Sequence, residues 1–282
     1  MTPMTATHWG LPIDVLPLFA REEQALVSVL TDLDADQWAA PTACPGWSVH
    51  DLVAHVLGDK LGRLSRDRDG YEAVSPAPGE AFPAFIHRSN DEWVRACRRL
   101  SPEVLFAMVV DSTAQLTEMW KRHDLDELGG PVTWAGPAPA PRWLDVAREY
   151  TELWVHQQQI REAVGAPLLD GPEFRAPVVD TFMRALPHTL RDVTARSGRQ
   201  VGYTVTGRSG GRWTARATSG GWTLDCGAPS SRAPLASVTT DADTFWRLCV
   251  RMVQPADVAD RISAKGDESV CAAALEMVSI IV

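Results

Sequence analysis

Glu152 and His156 stand four apart in Tyr-Thr-Glu-Leu-Trp-Val-His, and His55 stands far upstream in Asp-Leu-Val-Ala-His-Val-Leu-Gly. An i,i+4 pair projects both side chains from one helix face a turn apart, so a carboxylate and an imidazole can grip one ion from the same side. His55, on a helix of its own, completes a two-His-one-carboxylate set that leaves coordination positions free for water or substrate. Such a pair also arises by chance on solvated helix faces, so the neighbours decide. Leu153, Trp154, Val155 and Ile160 are apolar, which implies a largely buried helix. A buried polar group without a partner costs about 1–3 kcal/mol and a charge more. A metal ion would satisfy both side chains.

Other residues compete for roles at such a site. Glu149 could substitute as ligand or act as base, but Arg148 and Arg161 are close enough in sequence to pair with it. Asp59, one turn beyond His55, could hold a water or a ligand, and a surface salt bridge is its expected use. His50 lies roughly 140° from His55 at about 100° per residue and should point elsewhere, to solvent. His87, His123 and His188 have no patterned partners. Arg247 and Arg251, a turn apart on a later helix, could present guanidinium groups to a carboxylate-bearing substrate at an interdomain cleft. Trp47 and Trp154 could wall a pocket, with core packing the default for large aromatics.

The elements that must position these residues can be read from periodicity and caps. Leu26, Val29, Leu30 and Leu33 follow helical spacing within 16–33, and the prolines and glycine of 39–47 end that helix. Ser48 reads as an N-cap with Asp51 three residues on, opening the helix of His55. A polar loop over 65–80, a helix over 82–100, and a Ser101-Pro102-Glu103 cap starting a helix to about residue 123 come next. A breaker-rich segment over 129–141 leads into the helix of Glu152 and His156, over about 141–164, with Gly165 as its stop. Helices of this length joined by loops suggest a bundle with a core able to hold a metal site. Beyond residue 170, Val201, Tyr203 and Val205 alternate, and Trp213 and Trp222 sit in β-type runs separated by Ser-Gly-Gly turns, an antiparallel meander. A β-like run over 235–240, a helix from near Asp241 and a last helix over 268–280 complete an α+β second half. The Gly/Pro cluster over 165–175 marks the boundary, giving domains 1–168 and 169–282.

Composition narrows the function classes. A chain of 282 residues with 45% apolar content builds real cores. A formal charge of −9, from 27 basic and 36 acidic side chains, lacks the basic patch that a nucleic-acid partner requires. No apolar run approaches the roughly 18 residues of a membrane span, and the first ten residues have no basic or apolar leader character, so a cytoplasmic protein with no membrane partner is expected. Five cysteines, Cys44, Cys97, Cys226, Cys249 and Cys271, without a Cys-x-x-Cys, fit neither a disulfide framework nor a zinc knuckle. Cys44, in the Pro/Gly loop before the His55 helix, is the one placed near the site.

Thr42-Ala-Cys-Pro-Gly-Trp-Ser-Val-His-Asp-Leu-Val-Ala-His55 is similar to the opening signature of the mycothiol-dependent maleylpyruvate isomerase family, within the DinB-like superfamily, and Glu152-Leu-Trp-Val-His156 resembles its second signature. The resemblance implies an N-terminal four-helix bundle of DinB-like type holding a divalent metal, usually zinc, on His55, Glu152 and His156. It also implies a small C-terminal α/β domain of sterol-carrier-protein-like type. The implied activity is that of a metal-dependent enzyme using a low-molecular-weight thiol of mycothiol type, as S-transferase or thiol-assisted isomerase, on a small electrophilic substrate. A metal-dependent hydrolase on the same scaffold and a non-catalytic carrier with a structural metal stand as alternatives. The family often carries an Asp shortly after the second His, where this chain has Gln157-Gln158-Gln159, which puts isomerisation of maleylpyruvate itself in question.

Overall fold

A computed structural model describes residues 9–72, 74–225 and 233–279. Residues 1–8 and Cys226 lie outside the described residues, and the last helix, expected over 268–280, ends at Leu275. In chain order, α1 (Leu16–Thr31), α2 (Ala35–Ala39), α3 (Val49–Arg63), α4 (Phe82–Cys97) and α5 (Pro102–Trp120) are followed by β1 (Leu128–Pro131), β2 (Pro139–Pro141) and the long α6 (Arg142–Ala163). Then come α7 (Pro172–Met183), α8 (Leu186–Thr189), β3 (Gln200–Thr206), β4 (Gly211–Thr218), β5 (Gly221–Leu224), β6 (Ala236–Asp241), α9 (Ala242–Cys249), β7 (Ser263–Gly266) and α10 (Glu268–Leu275). The fold mixes helix and sheet, and among the described residues no helix is long and apolar enough to cross a membrane.

The described residues divide into two compact units, one of 15–124 and 149–170 and the other of 9–14, 125–148 and 171–279. The crossing at 170/171 falls in the Gly/Pro-rich stretch where a boundary is expected. Three more crossings, one of them inside α6, assign segments ahead of residue 168 to the sheet-bearing unit. Arg184, the residue that closes α7, gives the physical reason. Its guanidinium donates to the carbonyls of Trp9 at 2.7 Å and Leu11 at 3.1 Å and lies 5.7 Å over the Trp143 ring, tying the first described residues and the start of α6 to α7.

In the helical unit α3 packs against α4 and α5, and α1 against α5. Leu26 and Leu30 of α1, Leu52, Val53 and Leu57 of α3, Leu105 and Val109 of α5 and Ile160 of α6 form one buried core. α3 begins where the sequence places it: the Ser48 side chain accepts from the Asp51 N–H while Asp51 accepts from the Ser48 N–H, satisfying two otherwise orphaned donors. A one-turn π-helix, Leu64–Arg68, extends it. Gly58 lets the Trp93 indole settle on α3, where a Cβ would fall 2.5 Å from the ring; from there Trp93 Nε1 donates to the Ala54 carbonyl at 2.7 Å.

In the other unit the five strands run in the order β5-β4-β3-β6-β7. The meander β3-β4-β5 is antiparallel as expected, with Gln200 opposite Arg216 and Ala215 opposite Leu224, whereas β6 lies parallel to β3, with Val201 opposite Ala236. Val201, Tyr203 and Val205 turn one way and alternate with partly exposed neighbours, and Phe245 of α9 meets Tyr203 edge-on at 5.4 Å between ring centroids. Asp241 caps α9 by accepting from the Thr244 N–H at 2.9 Å.

Candidate metal centre

The loop before α3 is built around one turn. Pro45 presets its own φ, Gly46 takes φ +80°, and the Trp47 N–H donates to the Cys44 carbonyl at 3.1 Å, as a Pro-Gly turn requires. The Thr42 hydroxyl donates to the Trp47 carbonyl at 2.9 Å and accepts from the Cys44 N–H at 3.1 Å. This arrangement lays the Trp47 ring 5.1 Å from the His55 ring and brings the Cys44 thiol, half-buried, beside the last turns of α6.

His55, two turns into α3, meets Glu152 and His156 on α6. His55 Nε2 stands 3.1 Å from His156 Nε2 and 3.6 Å from Glu152 Oε1, and His156 Nε2 stands 3.1 Å from the same carboxylate oxygen. Two ligand atoms about 2.1 Å from an ion at a tetrahedral angle are about 3.4 Å apart, so the triangle has the dimensions of a zinc-type donor set. Among the described residues these three are the one group of His, Cys, Asp or Glu whose ligand atoms cluster within 4.8 Å. The His55 and His156 side chains are largely enclosed, while Glu152 is 31% exposed, so the site has an open side.

Burial and hydrogen bonding act on the three groups in different directions. Burial works against charge on every member, but hydrogen bonds from both imidazoles hold the Glu152 carboxyl well below the usual carboxylate range. Burial likewise opposes charge on His156, yet its bonds to Cys44 and Glu152 push it up to about 10. His55 goes the other way, lowered by burial and by the neighbouring His156 charge, with Glu152 opposing. The three glutamines after His156 take three separate jobs. Gln157 donates to Glu22 on α1 at 2.6 Å, Gln158 exchanges bonds with the Leu169 backbone at 2.8 and 3.0 Å, and Gln159 places its Oε1 2.8 Å from His156 Nδ1.

Several expectations change on the structure. Glu149 is fully buried and pairs with Arg63 of α3 at 2.9 Å, not with Arg148 or Arg161. Arg148 pairs with Asp145 at 3.1 Å, and Arg161 bonds Gln157 and the carbonyls of Pro167 and Ala25. Asp59 is no surface ion-pair residue: one of its oxygens is enclosed without a hydrogen-bond partner, and its carboxylate bonds Glu149, which burial and that neighbouring charge raise well above the usual range. His50 is half-buried rather than free in solvent, bonding the Leu100 carbonyl at 3.0 Å with its ring edge-on to Trp38. Trp154 is core, with Nε1 on the Leu169 carbonyl at 2.9 Å. Arg247 and Arg251 belong to the sheet-bearing unit, and each meets a carboxylate there, Arg247 the Asp243 side chain at 3.1 Å and Arg251 that of Glu276 at 2.9 Å. A layer of charge below the ligands has no sequence signal of its own: fully buried Lys60 donates to Thr113 and lies 3.9 Å from Glu23, and burial raises Glu22 to about 7.

The chain is similar to the uncharacterized protein Rv0036c of Mycobacterium tuberculosis (strain H37Rv), 25% identical over 154 residues that cover 51% of this chain and 54% of that protein. It is similar also to the uncharacterized protein Rv0738 of the same strain, 36% identical over 71 residues that cover 25% and 36% of the two. The chain thus spans about half the length of the first of these curated relatives and a smaller share of the second. Among solved structures, the mycothiol-dependent maleylpyruvate isomerase aligns over 93% of this chain and 96% of its own with a TM-score of 0.54 at 16% identity, and a mutant of it gives 0.55. At that identity the likeness is one of fold. Residues 19–161, just over half the chain and inclusive of His55, Glu152 and His156, match the model of the mycothiol maleylpyruvate isomerase N-terminal domain, and the protein belongs to that family.

Proposed function

We propose that the protein is a thiol-dependent enzyme, an isomerase or S-transferase acting on a small electrophile, whose divalent ion is held by His55, Glu152 and His156. The observation that carries this reading is the triangle of donor atoms at 3.1, 3.1 and 3.6 Å with one exposed edge. Zinc suits two imidazoles and a carboxylate. Bound there, such an ion supplies the positive charge that stabilises a thiolate and polarises a carbonyl. The chain's own residues prepare the place. His55 is kept neutral by burial, so its lone pair is available at neutral pH. Glu152 is kept ionised, which leaves a divalent centre with a net charge near +1 and a preference for an incoming anion. Trp47, its ring tilted against that of His55 at 5.1 Å, and the Thr42-to-Trp47 turn lie beside the donor set.

Family membership supports a mycothiol-type thiol as the partner, and the solved isomerase supports its use as a cofactor in isomerisation. The same support extends to the finer fold assignment, a DinB-like four-helix bundle in the helical unit and a sterol-carrier-protein-like domain in the sheet-bearing unit. Cobalt-substituted protein tests the functional reading. Addition of mycothiol, glutathione or cysteine should produce an intense sulfur-to-metal charge-transfer band, and turnover of electrophilic acceptors should need both thiol and metal. Absence of the band with all three thiols, together with turnover that proceeds without thiol, would refute it in favour of hydrolysis.

A further inference from the structure

We infer that Gln159 is the positioning residue of this metal centre: its amide oxygen fixes His156 in the Nδ1–H tautomer and so aims the Nε2 lone pair at the ion. The inference rests on the metal-centre reading above and concerns which residue makes it work. His156 has two ring nitrogens with different surroundings. Nε2 faces Glu152 Oε1 and His55 Nε2, each at 3.1 Å. Nδ1 faces Gln159 Oε1 at 2.8 Å, from the next turn of the same helix. A carbonyl oxygen has lone pairs and no proton, so the partner nitrogen must donate. With the proton on Nδ1, Nε2 is the ligating atom.

The oxygen's orientation is fixed from a second side. The Cys44 thiol, 3.3 Å away, donates to the same Oε1, and the Cys44 backbone is held by the Thr42 hydroxyl. Both contacts, from the His156 ring and from the Cys44 thiol, are made to the amide oxygen. A turned amide would offer N–H to Nδ1, move the imidazole proton to Nε2 and abolish ligation. Gln159 is only 6% exposed, so water does not stand in for it. An amide also differs from a carboxylate in what it does to the ion. A carboxylate on Nδ1–H would pull the imidazole toward imidazolate and add a negative charge beside the centre. The neutral amide orients the ring equally well while leaving the ion's net positive charge for an anionic ligand.

The test uses full-length protein and zinc, with affinity measured by chelator competition in wild type, Gln159→Leu and Gln159→Glu. Leucine keeps the volume and removes the acceptor, and zinc affinity should fall about 10- to 100-fold, the usual cost of losing such a partner. Glutamate restores an acceptor and should return affinity to within a few-fold of wild type or above it. The His156 ring nitrogens of zinc-loaded wild type, read by long-range 1H–15N correlation, should show a protonated Nδ1 and a metal-bound Nε2. This measurement needs no variant, so it decides the question even where Gln159→Leu fails to fold. A metal-loaded wild type with unprotonated Nδ1, or a folded Gln159→Leu protein that binds zinc as tightly as wild type, overturns the role of Gln159 and leaves the metal centre standing. A wild type that takes up no zinc, nickel or manganese overturns the centre itself.

Discussion

Metal binding should be coupled to the release of one proton per ion, because the metal-free triangle carries one proton that the ion must displace. The proton belongs to His156, held up at about 10 by its bonds to Cys44 and Glu152. His55, lowered by burial, is already neutral at pH 7, and Glu152, held low by the two imidazoles, is already ionised, so neither adds to the count. At pH 7 the proton stands about three pH units below its release point, which weakens apparent affinity about 1000-fold, or about 4 kcal/mol at 1.36 kcal/mol per unit. Affinity should therefore climb about tenfold per pH unit from pH 7 to 9 and level off near 10. Calorimetric zinc titrations in buffers of different ionisation enthalpy measure the proton count directly. Zinc binding that releases no proton at pH 7, with affinity flat across the range, would refute the proton inventory. The same groups set a stability window. His156, raised in the folded state, contributes stability that is complete below pH 6.5 and lost as pH rises through about 10, whereas Glu152, lowered, contributes stability lost only in acid.

Single substitutions His55→Ala, Glu152→Ala and His156→Ala should each abolish zinc uptake in elemental analysis while far-ultraviolet circular dichroism stays helical, because the core of Leu52, Val53, Leu105 and Ile160 forms without the ion; release of the metal by Glu149→Ala instead would show the wrong carboxylate was chosen. Breaking the buried Arg63–Glu149 pair with Arg63→Met should cost about 3–5 kcal/mol in denaturant unfolding, and Arg63→Met with Glu149→Met should recover part of that loss. Gly58→Ala should cost about 1–3 kcal/mol, since the new methyl meets the Trp93 ring, and Gly58→Ala with Trp93→Leu should cost less than the two separate losses summed.

What the sequence made legible was local. The Ser48–Asp51 cap, the Ser101-Pro102 helix start and the Gly165 stop all work through groups within a few residues of one another, and the helices begin and end close to where those signals lie. The i,i+4 logic of Glu152 and His156 is local as well. What escaped reading depends on partners distant in the chain. Glu149 has Arg148 beside it in sequence but is buried on α6, where it bonds Arg63 and Asp59 of α3. Segments 9–14 and 125–148 join the sheet-bearing unit through Arg184, which no periodicity announces. α7 was hidden by composition: Pro172 reads as a breaker, yet at a first turn it costs no hydrogen bond, and Pro177 lies within the same helix.

The same distinction explains the glutamine run. Read as a string, Gln157-Gln158-Gln159 is a departure from an expected acid and a loss of support for His156. Wound at about 100° per residue, the three amides point to three places, and only the third returns to the imidazole three residues back. There a carbonyl oxygen suffices where a carboxylate would also serve, since orienting Nδ1–H requires an acceptor and not a charge. An amide at Gln159 would keep the orientation of His156 and leave more positive charge on a bound ion than a carboxylate would, so its effect should appear in what such an ion attracts rather than in whether the site forms.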